Sequence, residues 1–236
     1  MRQEMDSRET RIRAAEIKFV VDPVLGNKVR EWARANLDPD PHGRGSTRDQ
    51  YRITSVYFDT DNYDVFHRRG SFGRCKFRAR RYGESDAVFL ERKLTRPGLV
   101  TKRRTLVPID VASHNLNGGE PEHGWSGEWF GRRLKVRQLR PVSQVSYVRT
   151  ARVVEADNGG LHRLTLDEDI RVATAENLAF AAETGLPVLD RQVILEMKYS
   201  RGFPPAFQRL IDEFALVPQS ASKYRLGLAM LRREGL

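Results

Sequence analysis

The chain has 236 residues, 39% of them hydrophobic and 31% charged, with a net charge of +10. At about 150 residues per domain this length fits one large β-rich domain or two small ones, and the apolar share is enough for a core, so disorder is excluded. No run approaches about 18 consecutive apolar residues, and Met1 to Phe19 are charged throughout, which excludes a spanning helix and a secretory signal; the expectation is a soluble, cytoplasmic protein. The single cysteine, Cys75, cannot form an internal disulfide. The five histidines (His42, His67, His114, His123, His162) show no zinc-ligand spacing.

The charge is concentrated. Between Arg68 and Arg104 lie thirteen basic and three acidic residues, a local excess equal to the whole net charge. So basic a segment implies an anionic partner: nucleic acid, a membrane surface or a phosphorylated small molecule.

In chain order, Ile17, Phe19 and Val21 alternate with Glu16 and Lys18, which predicts a strand. Asp22-Pro23 then supplies an N-cap and a first-turn proline for a helix over Pro23 to Asn36. Asp38 to Asp49, rich in Pro, Gly and charge, reads as a loop. Period-two runs follow over Tyr51–Asp59, Gly73–Tyr82, Ala87–Leu94, Leu99–Ile109, Val142–Val154, Leu161–Val172 and Arg191–Tyr199, making eight strands in all. Gly83, Arg96-Pro97-Gly98 and Asn158-Gly159-Gly160 sit where hairpins would turn, so the pairing should be antiparallel. Ala112 to Gly124 reads as a loop before a helix over Ser126 to Gln138. Pro204-Pro205 opens another helix, and Ser220 or Ser222 caps a last one through Leu231. Without an internal repeat or a linker, residues 1–236 are read as one domain.

The alternation separates charge from apolar surface. Arg74, Lys76, Arg78 and Arg80 share one strand face against Cys75, Phe77 and Ala79. Glu196 and Lys198 oppose Val193, Leu195 and Met197, while Arg163, Thr165, Asp167 and Asp169 oppose Leu164, Leu166 and Ile170. Glu91 with Lys93, and Lys102 with Arg104, repeat the pattern. Helices must cover the apolar faces, so the charged faces meet either solvent, in an open sheet, or a lumen, in a barrel of about eight strands. Adjacent cations repel, and such a face calls for carboxylates or a bound anion. The carboxylates Glu16, Glu91, Asp167, Asp169 and Glu196 are too few to neutralise it but suit a divalent ion such as Mg²⁺ that completes its shell with substrate phosphates.

These motifs resemble the VTC domain, the polyphosphate-polymerase branch of the triphosphate tunnel metalloenzymes. The resemblance rests on Glu16-Ile-Lys18-Phe, Ser55-Val-Tyr57-Phe58-Asp59, Lys76-Phe-Arg78-Ala-Arg80-Arg-Tyr82-Gly83, Phe89-Leu-Glu91-Arg-Lys93, Val100-Thr-Lys102-Arg-Arg104, Tyr147-Val-Arg149, Arg163-Leu-Thr-Leu-Asp167, Leu195-Glu196-Met-Lys198 and Ser222-Lys223-Tyr224, in family order over about residues 14 to 226. It implies an α+β fold, an eight-stranded antiparallel β-barrel with helices packed outside. It also implies phosphate-binding and catalytic roles for Lys18, Arg78, Arg80, Lys93, Lys102, Arg149, Arg163, Lys198 and Lys223. Arg78, Arg80, Lys93 and Lys198 would grip the nucleotide phosphates. Mn²⁺ or Mg²⁺ would sit on Glu196, with Glu16 and Glu91 as further candidates. The implied reaction moves the terminal phosphoryl of ATP to a polyphosphate chain, and a membrane partner protein is compatible with the family. Related hydrolases carry Glu-x-Glu-x-Lys on the first strand, whereas here Ala14 replaces the first glutamate, which favours the polymerase branch.

Other readings compete: a tri- or polyphosphate hydrolase, a non-catalytic polyphosphate sensor, and a nucleic-acid-binding protein, which the carboxylates among the cations disfavour. The blander readings make Tyr57, Phe58 and Tyr147 packing residues, Ser222 a cap, and Asp167 and Asp169 turn or salt-bridge residues. No Gly-x-x-x-x-Gly-Lys-Ser/Thr or Gly-x-Gly-x-x-Gly run is present, so a P-loop or Rossmann site is excluded.

Overall fold

The computed structural model describes residues 10–12, 15–43, 46–96, 99–119, 122–156, 160–181, 185–200 and 202–235. Ala14 and the turn residues Pro97-Gly98 and Asn158-Gly159 lie outside the described residues. The strands are β1 (Thr10–Ile12), β2 (Ala15–Val21), β3 (Asp38–Pro39), β4 (Gln50–Asp59), β5 (Cys75–Tyr82), β6 (Ala87–Arg96), β7 (Leu99–Pro108), β8 (Arg140–Glu155), β9 (Leu161–Thr174), β10 (Leu186–Pro187) and β11 (Val193–Tyr199). The helices are α1 (Pro23–Asn36), α2 (Asp64–His67), α3 (Ile109–Leu116), α4 (Glu128–Arg137), α5 (Pro205–Glu213) and α6 (Lys223–Arg233).

The eight expected strands are the eight long ones, each within a few residues of its predicted bounds. Three strands of two or three residues, β1, β3 and β10, complete the sheet. All the pairings are antiparallel, in the order β1-β7-β6-β5-β4-β8-β9-β11-β2, with β3 added on β8 and β10 on β9. Among the described residues the ladder is not hydrogen-bonded into a closed ring, but its two margins, β1 and β2, are three peptide units apart in the chain. Ile12 and Ala15 therefore lie within about 11 Å of each other, and the sheet must curl into a tunnel.

Helices cover the convex side. Asp22 caps α1 by accepting from the Leu25 N–H at 2.9 Å, and Pro23 occupies its first turn. The apolar face of α1 buries Val29 and Ala33 in a cluster with Phe19, Leu166, Leu195, Phe207 and Leu210, so α1 and α5 together cover β2, β9 and β11. A Cβ on Gly26 would stand 2.7 Å from the Val193 side chain, which is why the helix can lie so close to β11. On the other flank α4 sets Phe130 edge-on against Phe58, with ring centroids 5.5 Å apart. No helix among the described residues is long and apolar enough to cross a membrane.

Two expectations are corrected here. Ala112 to Gly124 is not all loop, because α3 runs to Leu116. Its Ser, His and Asn are weak helix formers, and the helix is held from outside itself, by Ser113 Oγ donating to the Leu178 carbonyl at 3.2 Å and by burial of Ala112. Asp169 does not share the face of Asp167. A bulge in β9, opposite Tyr147, inserts one residue and turns Asp169 outward with φ 47, where it accepts from Arg171 at 2.9 Å. Beyond the bulge Ile170 and Val172 leave the face of Leu164 and Leu166, and Val172 comes opposite Val145. There they meet α6, whose Gly227 lies where a Cβ would be 2.9 Å from Val172 and 3.3 Å from Val145.

Candidate functional site

The concave face is charged. Glu16 and Lys18 of β2, Lys76, Arg78 and Arg80 of β5, Lys93 of β6, Arg149 of β8, Glu196 and Lys198 of β11 and Lys223 of α6 line one cavity of about 490 Å³. A second cavity of about 340 Å³ adds Glu91, Lys102 and Arg163 and shares Glu16, Lys76, Arg78, Lys93 and Lys198 with the first. The two form one bore, and every residue expected at the site lies on it. Among the described residues, eleven Lys and Arg side chains and two carboxylates line the first cavity, an imbalance that calls for an anionic ligand.

Each carboxylate holds particular cations. Glu91 is buried within ion-pair reach of Arg78 at 2.6 Å, Lys102 at 2.9 Å and Arg104 at 3.2 Å. Burial alone would raise its carboxyl, but Arg78, Arg80, Lys102 and Arg104 hold it well below the usual range. Asp167 is fully buried and takes both nitrogens of Arg149, Nε at 2.6 Å and Nη2 at 2.8 Å. It also pairs with Lys223, so the cation at the start of α6 is balanced across the bore by this carboxylate. Asp167 therefore acts as a counter-ion that fixes the aim of Arg149.

Glu16 and Glu196 are diagonal neighbours on adjacent strands, Glu16 opposite Lys198 and Glu196 opposite Lys18. Glu196 pairs with Lys18 and with Lys198 at 2.8 Å; Glu16 pairs with Lys93 at 2.9 Å and Lys18 at 3.2 Å. Burial and the Glu196 charge push the Glu16 carboxyl up, yet Lys198, Lys93 and Lys18 outweigh them and hold it at about 2. Glu196, raised by burial, is likewise held well below its ordinary range by Lys198, Lys18, Lys223 and Arg149. Both are ionised at neutral pH, as a metal ligand must be.

Two cations of the bore, buried Arg80 and half-buried Lys76, stand out. Arg80 donates from Nε to Ser55 Oγ at 3.1 Å and from Nη2 to the Tyr147 hydroxyl at 3.0 Å, and among the described residues no carboxylate is within ion-pair distance of it. Lys76 donates to Ser222 Oγ at 2.9 Å. Burial, followed by Arg225, Lys93, Arg78 and Lys18, pushes its ammonium down to about 7. Lys102 falls to about 8, because burial and the Arg104 and Arg78 charges exceed what Glu91 restores.

Lys76 was absent from the expected ligands although it shares the strand face of Arg78 and Arg80, and the period-two pattern was signal enough to find it. Tyr57 and Tyr147 turn out to line the cavity as well as pack: Tyr57 stacks on Tyr224 with centroids 5.0 Å apart, and burial opposed by Arg78 and Arg80 leaves its phenol below the ordinary range. Ser222 is both the cap of α6, accepting from the Arg225 N–H at 3.5 Å, and the partner of Lys76. Arg74, which continues the same face, also lines the cavity, and Arg68 and Arg225 reach it through tertiary contacts that no local pattern reports.

A curled antiparallel sheet with a basic bore and helices outside is the triphosphate-tunnel architecture. A family model described as the VTC domain matches residues 13–232, and the chain belongs to that family. Among solved structures, a putative adenylate cyclase from Bacillus halodurans is 15% identical, with a TM-score of 0.56 over 91% of this chain and 98% of that one. A Hippeastrum protein, described as a putative adenylyl cyclase with a dominant triphosphatase activity, is 14% identical, with a TM-score of 0.48 over 93% of this chain and 95% of that one. No curated protein matches the sequence.

Proposed function

We propose that this chain is a metal-dependent phosphotransferase of the polyphosphate-polymerase type, a single tunnel domain that moves the terminal phosphoryl of ATP to a polyphosphate chain in the bore. The observation that carries the reading is the bore itself: cations from five strands and one helix converge on one cavity, and the basic lining continues into a second. A site for one triphosphate needs no such extension, whereas a growing chain of phosphates does. ATP as donor makes the cytoplasm the place of action.

Phosphoryl transfer passes through a loose transition state with charge spread over the phosphoryl oxygens, so positioning and electrostatics do most of the catalysis. Arg78 and Arg149 are each held rigid by a buried carboxylate, Glu91 and Asp167, and keep N–H groups for phosphate oxygens. Arg80 brings a charge that, among the described residues, meets hydroxyls and the Tyr82 ring but no carboxylate. Lys18, Lys93 and Lys198 would turn from Glu16 and Glu196 toward phosphate as those carboxylates are taken up elsewhere.

Glu16 and Glu196 fit a divalent ion. No third Asp, Glu, His or Cys gathers with them among the described residues, and two carboxylates completed by substrate phosphates are a common Mg²⁺ environment. Mn²⁺ or Mg²⁺ bound there would neutralise phosphate charge near the scissile bond. Glu91, enclosed by three cations, is assigned to orienting Arg78 instead of to the metal.

The test is incubation of the purified protein with ATP and Mn²⁺ or Mg²⁺, resolving ADP, free phosphate and polymer over time. Polymer formed together with ADP supports the reading. Phosphate without polymer replaces it with hydrolysis, and no turnover with tight polyphosphate binding replaces it with a sensor.

A further inference from the structure

A third cavity, of about 650 Å³, lies outside the tunnel between β5, β6 and α4. Five arginines line it: Arg68 and Arg74 from the segment between α2 and β5, Arg92 from the outer face of β6, and Arg133 and Arg137 from α4. Among the described residues no Asp or Glu is in that lining. The tunnel cations are interleaved with Glu16, Glu91, Asp167 and Glu196, whereas the charged side chains of this lining, among the described residues, are all positive.

The arrangement works against the fold. Arg133 and Arg137 are four residues apart on one helix, so they share a face and repel. Arg92 lies directly opposite Arg103 in the β6–β7 ladder, a like-charge cross-strand pair. Burial first, then the charges of Arg133, Arg103 and Arg137, press the Arg92 guanidinium below its ordinary range. Arg137 donates to Ser71 Oγ at 3.3 Å and lies over Phe72, and Arg103 lies over Trp129, contacts that bring no negative charge. An anion in the groove would relieve the repulsion. The groove also connects with the tunnel, since Arg68, Gly73, Arg74 and Cys75 line both cavities.

We propose that this five-arginine groove is a second phosphate subsite that takes the part of a condensed phosphate chain emerging from the tunnel mouth past Arg68 and Arg74. Guanidinium groups on both walls would pair with successive phosphate oxygens, two nitrogens at a time. The groove thereby extends the site's preference from a triphosphate to a long chain. The inference rests on the tunnel holding condensed phosphate, and its test separates the two claims.

The experiment measures binding of inorganic triphosphate and of long-chain polyphosphate, at several salt concentrations, to wild type and to the double variant Arg133→Glu with Arg137→Glu. Both positions are on α4, away from the tunnel lining. The expected result is unchanged triphosphate affinity, with long-chain affinity weakened about ten-fold or more and a shallower salt dependence. The neutral pair Arg133→Gln with Arg137→Gln should give a smaller loss in the same direction, and circular dichroism and melting should show both variants folded. Equal long-chain affinity in wild type and variants overturns the proposal, as does equal loss for triphosphate and long chain, or a single-stranded oligonucleotide that displaces the polyphosphate from the groove. Failure of wild type to bind triphosphate overturns the tunnel reading instead, and the long-chain difference between wild type and variant still reports on the groove.

Discussion

Lys93 donates to Glu16 at 2.9 Å, although five strands separate β6 from β2 along the hydrogen-bonded ladder. In the other direction only β7, β1 and the break between β1 and β2 intervene. The ion pair therefore ties the two margins of the curled sheet together inside the bore. Side chains that serve as phosphate ligands in the proposed function also hold the tunnel's seam, which couples ligand binding to how firmly the seam is held.

Arg80 should contribute to binding and little to folding. Its buried charge is met by the Ser55 and Tyr147 hydroxyls and the Tyr82 ring, with no carboxylate within ion-pair distance among the described residues, and an unpaired buried charge is a cost that a ligand offsets. Arg80→Met is expected to weaken triphosphate binding about 10- to 100-fold, since a hydrogen bond from a charged donor contributes about 1.5–3 kcal/mol. The free variant should melt no lower than wild type. Thermal melts with and without triphosphate check both halves; a lower free melting temperature with an unchanged ligand-induced rise contradicts the assignment.

Glu196→Gln keeps the shape and removes the charge. Metal-dependent turnover should fall by about 100-fold or more, while triphosphate binding in the presence of a chelator should hold or strengthen, because a carboxylate near phosphate is repulsive. Retained turnover would move the metal to other ligands.

Lys76 gives the site a pH response. Its pKa in the free protein is about 7, against an ordinary 10.5, so between those values the folded chain binds fewer protons than the unfolded one. This group makes stability rise with pH across that window. A bound polyanion favours the charged ammonium and raises its pKa, so at about pH 8.5 binding takes up a proton, and affinity falls as pH rises above about 7. Calorimetry of triphosphate binding in buffers of different ionisation enthalpy measures the uptake. Lys76→Met should reduce it, with a remainder from Lys102, itself held at about 8.

Asp59 anchors the helix that delivers Lys223. Fully buried, it accepts N–H bonds from Thr60 at 2.8 Å, Val65 at 2.8 Å and Phe66 at 2.9 Å, and the hydroxyl of Tyr224. Asp59→Ala leaves these donors without an acceptor and should cost about 3 kcal/mol or more, read from urea unfolding. A change below about 1 kcal/mol would mean the donors find other partners.

The eight long strands were legible because each carries a clean two-residue alternation, and so was the charged inner face that alternation implies. Asp169 shows the limit: one inserted residue in β9 reverses the faces of everything after it, and an unbroken period-two pattern cannot reveal that. α2 is legible only through Asp59, whose carboxylate lies six and seven residues before the N–H groups of α2 that it binds. Glu91 and Glu196 look alike in sequence, each two residues before a lysine. Their difference comes from neighbours on other strands, three cations around Glu91 and a second carboxylate beside Glu196.

The most direct test of the central claim is a crystal structure with triphosphate and Mn²⁺ bound, with anomalous data for the metal. The account predicts a manganese peak at Glu196, shared with Glu16, and phosphates in the bore against Arg80, Arg149 and Lys198. Manganese at Glu91, or triphosphate density confined to the outer surface with the bore filled by water, would contradict it.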